Sequence, residues 1–163
     1  MEKTLKELTE LIVKSLNKKL DTVQHFDSSP LPDKNVIREI IEDALVLIFP
    51  GYFGHSDLSF ESIELQIGFR VARLFEKLKA QVFCEAQHSC KFPVKSCKNC
   101  HDYAAFISQS LISEIPSFRE KLEWDVKAAF DNDPAASGYD EIIFSYPGLE
   151  AISVYRLAHF LNQ

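Results

Sequence analysis

The chain has 163 residues, 46% of them hydrophobic and 26% charged, with a formal net charge of −6. That length fits one domain, and it can bury roughly 68–70% of the surface that the unfolded chain exposes. The acidic balance argues against a nucleic-acid binder, since phosphate contacts need clustered cations. Only five glycines, Gly51, Gly54, Gly68, Gly138 and Gly148, exclude most glycine-built phosphate loops, hairpin series and β-solenoids.

Leu5, Leu8, Ile12, Leu16 and Leu20 recur every three or four residues, which predicts an amphipathic helix from about Thr4 to about Gln24. Pro30 and Pro32 break it. Asp33 then caps a second helix with Val36, Ile37, Ile40, Ile41, Ala44, Leu45 and Ile48 on its apolar positions, stopped by Pro50-Gly51. A third helix is expected from Ser56 or Asp57 to about Val82 or Phe83, with Leu65, Phe69, Leu74, Phe75 and Leu78 on helical spacing. Gly68 inside it weakens the helix by about 1 kcal/mol relative to Ala, which predicts a close helix–helix contact there. Helix resumes near His101 with Tyr103, Phe106, Ile107 and Leu111, and Pro116 breaks or kinks it. Another helix covers Ser117 to Phe130, and Pro147-Gly148 opens the last one, with Glu150 at its positive end.

No stretch alternates with period two, and no run of about 20 apolar residues marks a membrane helix. The expectation is an all-α fold of five to seven helices: a single domain over 1–163, with a cysteine-rich insert at 83–101 and a motif region at 131–163. The charged N-terminal residues are unlike a secretory signal, so the expected compartment is the cytoplasm. There, cysteines serve as thiols or metal ligands rather than structural disulfides.

Three groups of residues could carry chemistry. All four cysteines fall within seventeen residues, as Cys84-x5-Cys90-x6-Cys97-x2-Cys100, with His88 inside the run and His101 after it. Zn²⁺ takes thiolate and imidazole ligands tetrahedrally, and a Cys-x2-Cys turn presents two sulfurs to one ion. Cys84, Cys90, Cys97 and Cys100 are therefore the candidate ligands of a structural zinc site. The alternative is a set of reduced thiols or a facultative disulfide, and both histidines read as ordinary loop residues. The second group, Asp131-Asn132-Asp133-Pro134-Ala135-Ala136, is by local chemistry a turn. The third places Tyr155, Arg156 and His159 on the last helix, where such residues usually pack with satisfied polar tips. No Gly-x-Ser-x-Gly elbow, His-Glu-x-x-His or phosphate loop is present.

Three blocks together change this reading: Asp133-Pro134-Ala135-Ala136, then Tyr139-Asp-Glu-Ile-Ile-Phe-Ser-Tyr-Pro-Gly-Leu-Glu-Ala-Ile, then Tyr155-Arg156-Leu157-Ala158-His159. In this order and spacing they closely resemble serine O-acetyltransferases, over about the last 31 residues. The preceding helices resemble that family's N-terminal helical domain only in general character. The resemblance implies acetyl transfer from acetyl-CoA to the hydroxyl of L-serine, with no required cofactor, and homo-oligomer assembly through the helical domain. It gives Asp133 a part in holding serine, and Tyr155, Arg156 and His159 a packing role.

The family's general-base His, its partner Asp and its CoA surface lie on a left-handed β-helix of hexapeptide repeats, and no such series occurs here. No catalytic residue is therefore assigned in this chain, which is expected to be inactive without that domain. The competing expectation is a free-standing helical module that binds zinc or a protein partner.

Overall fold

The computed structural model describes residues 3–18, 20, 23–25, 31–54, 63–90 and 97–162. Among these it has six helices and no strand: α1 (Leu5–Leu16), α2 (Lys34–Ile48), α3 (Ile63–Ser89), α4 (Lys98–Asn132), α5 (Tyr139–Ser145) and α6 (Pro147–Leu161). The all-α expectation holds. The predicted start of the third helix near Ser56 lies outside the described residues.

Local signals set most helix ends. Thr4 and Glu7 form a reciprocal capping box at the start of α1. The Asp33 carboxylate accepts the Asn35 amide at 2.7 Å and opens α2. Gly51, at φ +90°, lets the chain turn after α2. Pro147 occupies the first turn of α6, where its missing N–H leaves nothing unpaired. In contrast, α1 stops at Leu16 rather than near Gln24. The Gln24 side chain folds back, donating to the Leu16 carbonyl at 3.0 Å and accepting the Leu20 amide at 3.2 Å.

Residue Pro116 does not break α4, which runs through it for 35 residues. A proline inside a helix costs about 3 kcal/mol. Leu111, Ile115, Phe118, Leu122 and Val126 form one buried stripe across it, each worth about 1.5–3 kcal/mol. Burial wins.

The core joins α2, α3, α4, α5 and α6 around Leu45, Leu74, Leu78, Leu122, Ile142 and Leu157. No residue of α1 is buried. Three large residues expected inside, Leu65, Phe69 and Phe106, are exposed. The interior of α4 is instead lined toward its start by Cys100, Ala104 and Ser108, one helical face of small residues. Cys100 on that face meets the Ala86 carbonyl of α3 at 3.8 Å. The close α3–α4 approach thus comes from small residues on α4, and Gly68 takes no part in it. A Cβ built at Gly68 meets nothing within 4 Å, so Gly68→Ala should stabilise the fold by about 0.5–1 kcal/mol, read as a raised urea midpoint.

Helices α2 and α3 are also joined by a buried carboxylate. Asp43 receives two guanidinium nitrogens of Arg73, the Lys77 ammonium at 3.2 Å and, at 3.8 Å, Arg70. Removing one partner of a buried ion pair costs about 3–5 kcal/mol, but Arg73 and Lys77 are 40% and 23% exposed and can rehydrate. Asp43→Ala should therefore cost about 2–4 kcal/mol, measured by urea unfolding.

Candidate functional site

The Asp133 turn lies between the end of α4 and the start of α5. Asp133 follows the last residue of α4, and its Oδ1 accepts the Ala135 amide at 3.0 Å, closing a side-chain turn over Pro134. Its Oδ2 accepts the Tyr146 hydroxyl at 2.5 Å, from the junction of α5 and α6. These two donors, the hydroxyl first and the amide second, hold the Asp133 carboxyl below its ordinary value. The same contact pushes the Tyr146 hydroxyl up to about 12. Stability from this contact is fully present above the ordinary carboxylate value and is lost as pH falls through the lowered one. Asp133 is thus a half-buried anion fixed at both oxygens, each retaining a further lone pair for an incoming cation.

Its surroundings are equally well anchored. The Ser137 amide and hydroxyl donate to Glu141 at 2.8 and 2.6 Å, bracing the start of α5. Tyr52 donates to Asp140 at 2.6 Å, tying α5 to the turn after α2. A cleft of about 570 Å³ opens beside this region between Phe49, Tyr52, Arg119, Lys127 and Tyr139, and Asp133 does not line it. Sequence reading gave Tyr146 no role; its position beside Pro147, where the chain turns from α5 into α6, was the available signal.

On the last helix the three polar residues are engaged in two separate contacts. Arg156 forms a forked ion pair with Asp125 of α4, with contacts of 2.7–3.0 Å. Tyr155 and His159 stack at 5.6 Å. Arg156 is half-buried, whereas Tyr155 and His159 are exposed.

The cysteine group lies at the junction of α3 and α4. Cys90 follows the last residue of α3, Cys97 is the N-cap of α4, and Cys100 is buried in its first turn. The sulfurs of Cys90, Cys97 and Cys100 all lie within 4.8 Å of one another, and that of Cys84 is not in this group. All four cysteines are reduced. The Cys100 backbone amide, then its thiol, hold Cys97 below the usual thiol range. The Cys97 sulfur closes no capping hydrogen bond, so the amide acts as a nearby dipole. Cys100 is pushed up to about 12, first by the Cys97 thiol and then by burial. His101 stacks on Phe83 at 4.0 Å, and His88 meets His25 edge-on at 5.5 Å; neither histidine joins the sulfur group.

No family model matches the chain. A plasmid serine acetyltransferase of Synechococcus elongatus is 33% identical over 137 residues, covering 82% of this chain and 43% of that protein. The Bacillus licheniformis serine acetyltransferase is 50% identical over 44 residues, 27% of this chain and 20% of that protein. Among solved structures, serine acetyltransferase isoform 3 of Entamoeba histolytica, determined with cysteine, matches at a TM-score of 0.60. It is 22% identical, with 97% of this chain and 50% of that one covered. The chain spans half or less of the length of these relatives. No helix of the described residues is long and apolar enough to cross a membrane. In sequence and in fold, the chain is a homologue of the serine acetyltransferases, related to them through a helical region that makes up about half of their length.

Proposed function

We propose that the chain is the helical assembly and substrate-site domain of a cytoplasmic serine acetyltransferase, contributing Asp133 to the pocket for L-serine. The observation that carries this is the Asp133 carboxylate, ionised and fixed by the Ala135 amide and the Tyr146 hydroxyl. An anion held in one orientation takes the serine ammonium without reorganising as substrate binds. The serine hydroxyl is then aimed at the thioester carbonyl of acetyl-CoA. Attack forms the O–acyl bond, the hydroxyl proton passes to a general base, and the C–S bond breaks to release CoA thiolate, which is reprotonated. By the resemblance, the base and the CoA surface belong to a hexapeptide-repeat domain; these 163 residues contain no such series, and the chain by itself is expected to be inactive.

The homo-oligomer reading rests on α1. Its apolar stripe of Leu5, Leu8, Leu11, Ile12 and Leu16 is 43–83% exposed, and a 12-residue helix is marginal in water without packing. A second copy is the cover we assign to it. The competing reading, a free-standing helical module binding zinc or a protein partner, is favoured by the three-sulfur group.

Two assays test the proposal: L-serine-dependent release of CoA by the product of the complete gene, and by the 163-residue chain. Turnover by the first and none by the second is expected. A folded complete product with no serine-dependent release would overturn the acetyltransferase reading; turnover by the chain alone would overturn its dependence on a further domain.

A further inference from the structure

We propose that Cys90, Cys97 and Cys100 bind one zinc ion where α3 meets α4, with the fourth ligand position open to a small exchangeable donor such as water. The site shares no residue with the Asp133 turn and does not rest on the acetyltransferase reading.

Geometry carries the proposal. Three sulfurs lie mutually within 4.8 Å. Zinc–sulfur bonds of about 2.3 Å at tetrahedral angles place sulfurs roughly 3.8 Å apart, so closing around the ion takes a movement of about 1 Å or less. The backbone already supplies the frame. Cys97 and Cys100 share the first turn of α4, and the Cys97 carbonyl accepts the Cys100 amide at 3.1 Å. Cys90 is held at the end of α3, where its amide donates to the Gln87 carbonyl at 3.2 Å.

The ligand count departs from the four-cysteine set that the spacing suggested. Cys84 lies one and a half turns before the end of α3 and outside the sulfur group. The six residues between Cys90 and Cys97, Lys-Phe-Pro-Val-Lys-Ser, contain no Cys, His, Asp or Glu. Those residues therefore offer no thiolate, imidazole or carboxylate to complete the shell.

Charge also fits. Binding replaces three S–H protons: three thiols and Zn²⁺ give a trithiolate complex of net charge −1 and three released protons. This negative charge sits at the N-terminal end of a 35-residue helix, its favourable pole, beside Lys98. The ion would fasten the end of α3 to the start of α4.

The chain, reduced and purified without chelator, is titrated with Zn²⁺ and, separately, with Co²⁺ as a spectroscopic stand-in. About one zinc per chain is expected, with near-ultraviolet sulfur-to-cobalt charge-transfer bands whose strength corresponds to three thiolates. Cys90→Ser and Cys97→Ser should each weaken binding at least about tenfold, while Cys84→Ser leaves it unchanged. Because Cys100 is buried, Cys100→Ser is read alongside far-ultraviolet circular dichroism. An arm without variants uses alkylation of the intact chain: zinc should slow labelling of Cys90 and Cys97 and leave the Cys84 rate alone. Less than about 0.2 zinc per chain, retention of zinc by the Cys90 and Cys97 variants, or an equal loss on Cys84→Ser would each overturn the three-cysteine site.

Discussion

Asp133→Asn in the product of the complete gene should raise the KM for L-serine and lower kcat/KM by about 30- to 1000-fold, since a lost charge-assisted contact costs about 2–4 kcal/mol. The KM for acetyl-CoA should stay within about twofold, because the ammonium and not the thioester meets this carboxylate. The substitution isolates charge from shape. Asparagine keeps an oxygen for the Ala135 amide, so the turn over Pro134 closes as before. The new Nδ2 group then faces the Tyr146 hydroxyl and donates to it, so that contact survives with its direction reversed. Steady-state kinetics with each substrate varied in turn makes the measurement. A serine KM and turnover both unchanged would remove Asp133 from the substrate pocket.

The second large effect belongs to the core. Leu122 is wholly buried in the C-terminal half of α4, in the stripe that carries the helix through Pro116. Leu122→Ala removes buried carbon and leaves a cavity, costing about 3–5 kcal/mol. Against a typical total stability of about 5–15 kcal/mol, that is a large share, and it corresponds to a fall in Tm of about 6–20 °C. Trp124, two residues along, points the other way and is 73% exposed. Its contacts include Lys127 over the ring at 5.6 Å, so Trp124→Ala should change stability by no more than about 1 kcal/mol. Thermal unfolding of the two variants side by side tests whether the stripe, rather than aromatic content, holds α4.

Features written locally in the chain were legible. The Asp33 cap, the Pro147 start of α6 and the helix over Ser117 to Phe130 each rest on signals within one or two turns, and each is found where the residues place it. What depended on a partner helix was not. The large residues Phe69 and Phe106 looked like core by spacing, yet the α3–α4 approach buries Ala104 and Ser108 and leaves the aromatics outside. Pro116 looked like a stop because its local cost is visible in sequence, whereas the burial that overrides it is tertiary. Asp43 sits between Ile40 and Ala44 on a buried face. The signal for it was three cations, Arg70, Arg73 and Lys77, at helical spacing on α3, but only the fold shows them converging on one acid.

The candidate sites divide the same way. Asp133 stood out only through its resemblance to a family, since an Asp before Pro is otherwise an ordinary turn. Its restraint by Tyr146, thirteen residues away, depends on the path of α5 and is a property of the fold. Among the cysteines, spacing marked Cys97 and Cys100 as a unit, and their sulfurs lie within 4.8 Å of each other. It could not separate Cys84 from Cys90, because which of them lies near α4 depends on where α3 ends. That helix continues to Ser89, carrying Cys84 within it and releasing Cys90 at its end.

The most direct test is the crystal structure of the complete gene product with L-serine bound. The account predicts the serine ammonium within about 3 Å of an Asp133 carboxylate oxygen, with the Tyr146 and Ala135 contacts retained. Serine bound with its ammonium on other residues, and Asp133 left facing only Tyr146 and Ala135, would contradict it.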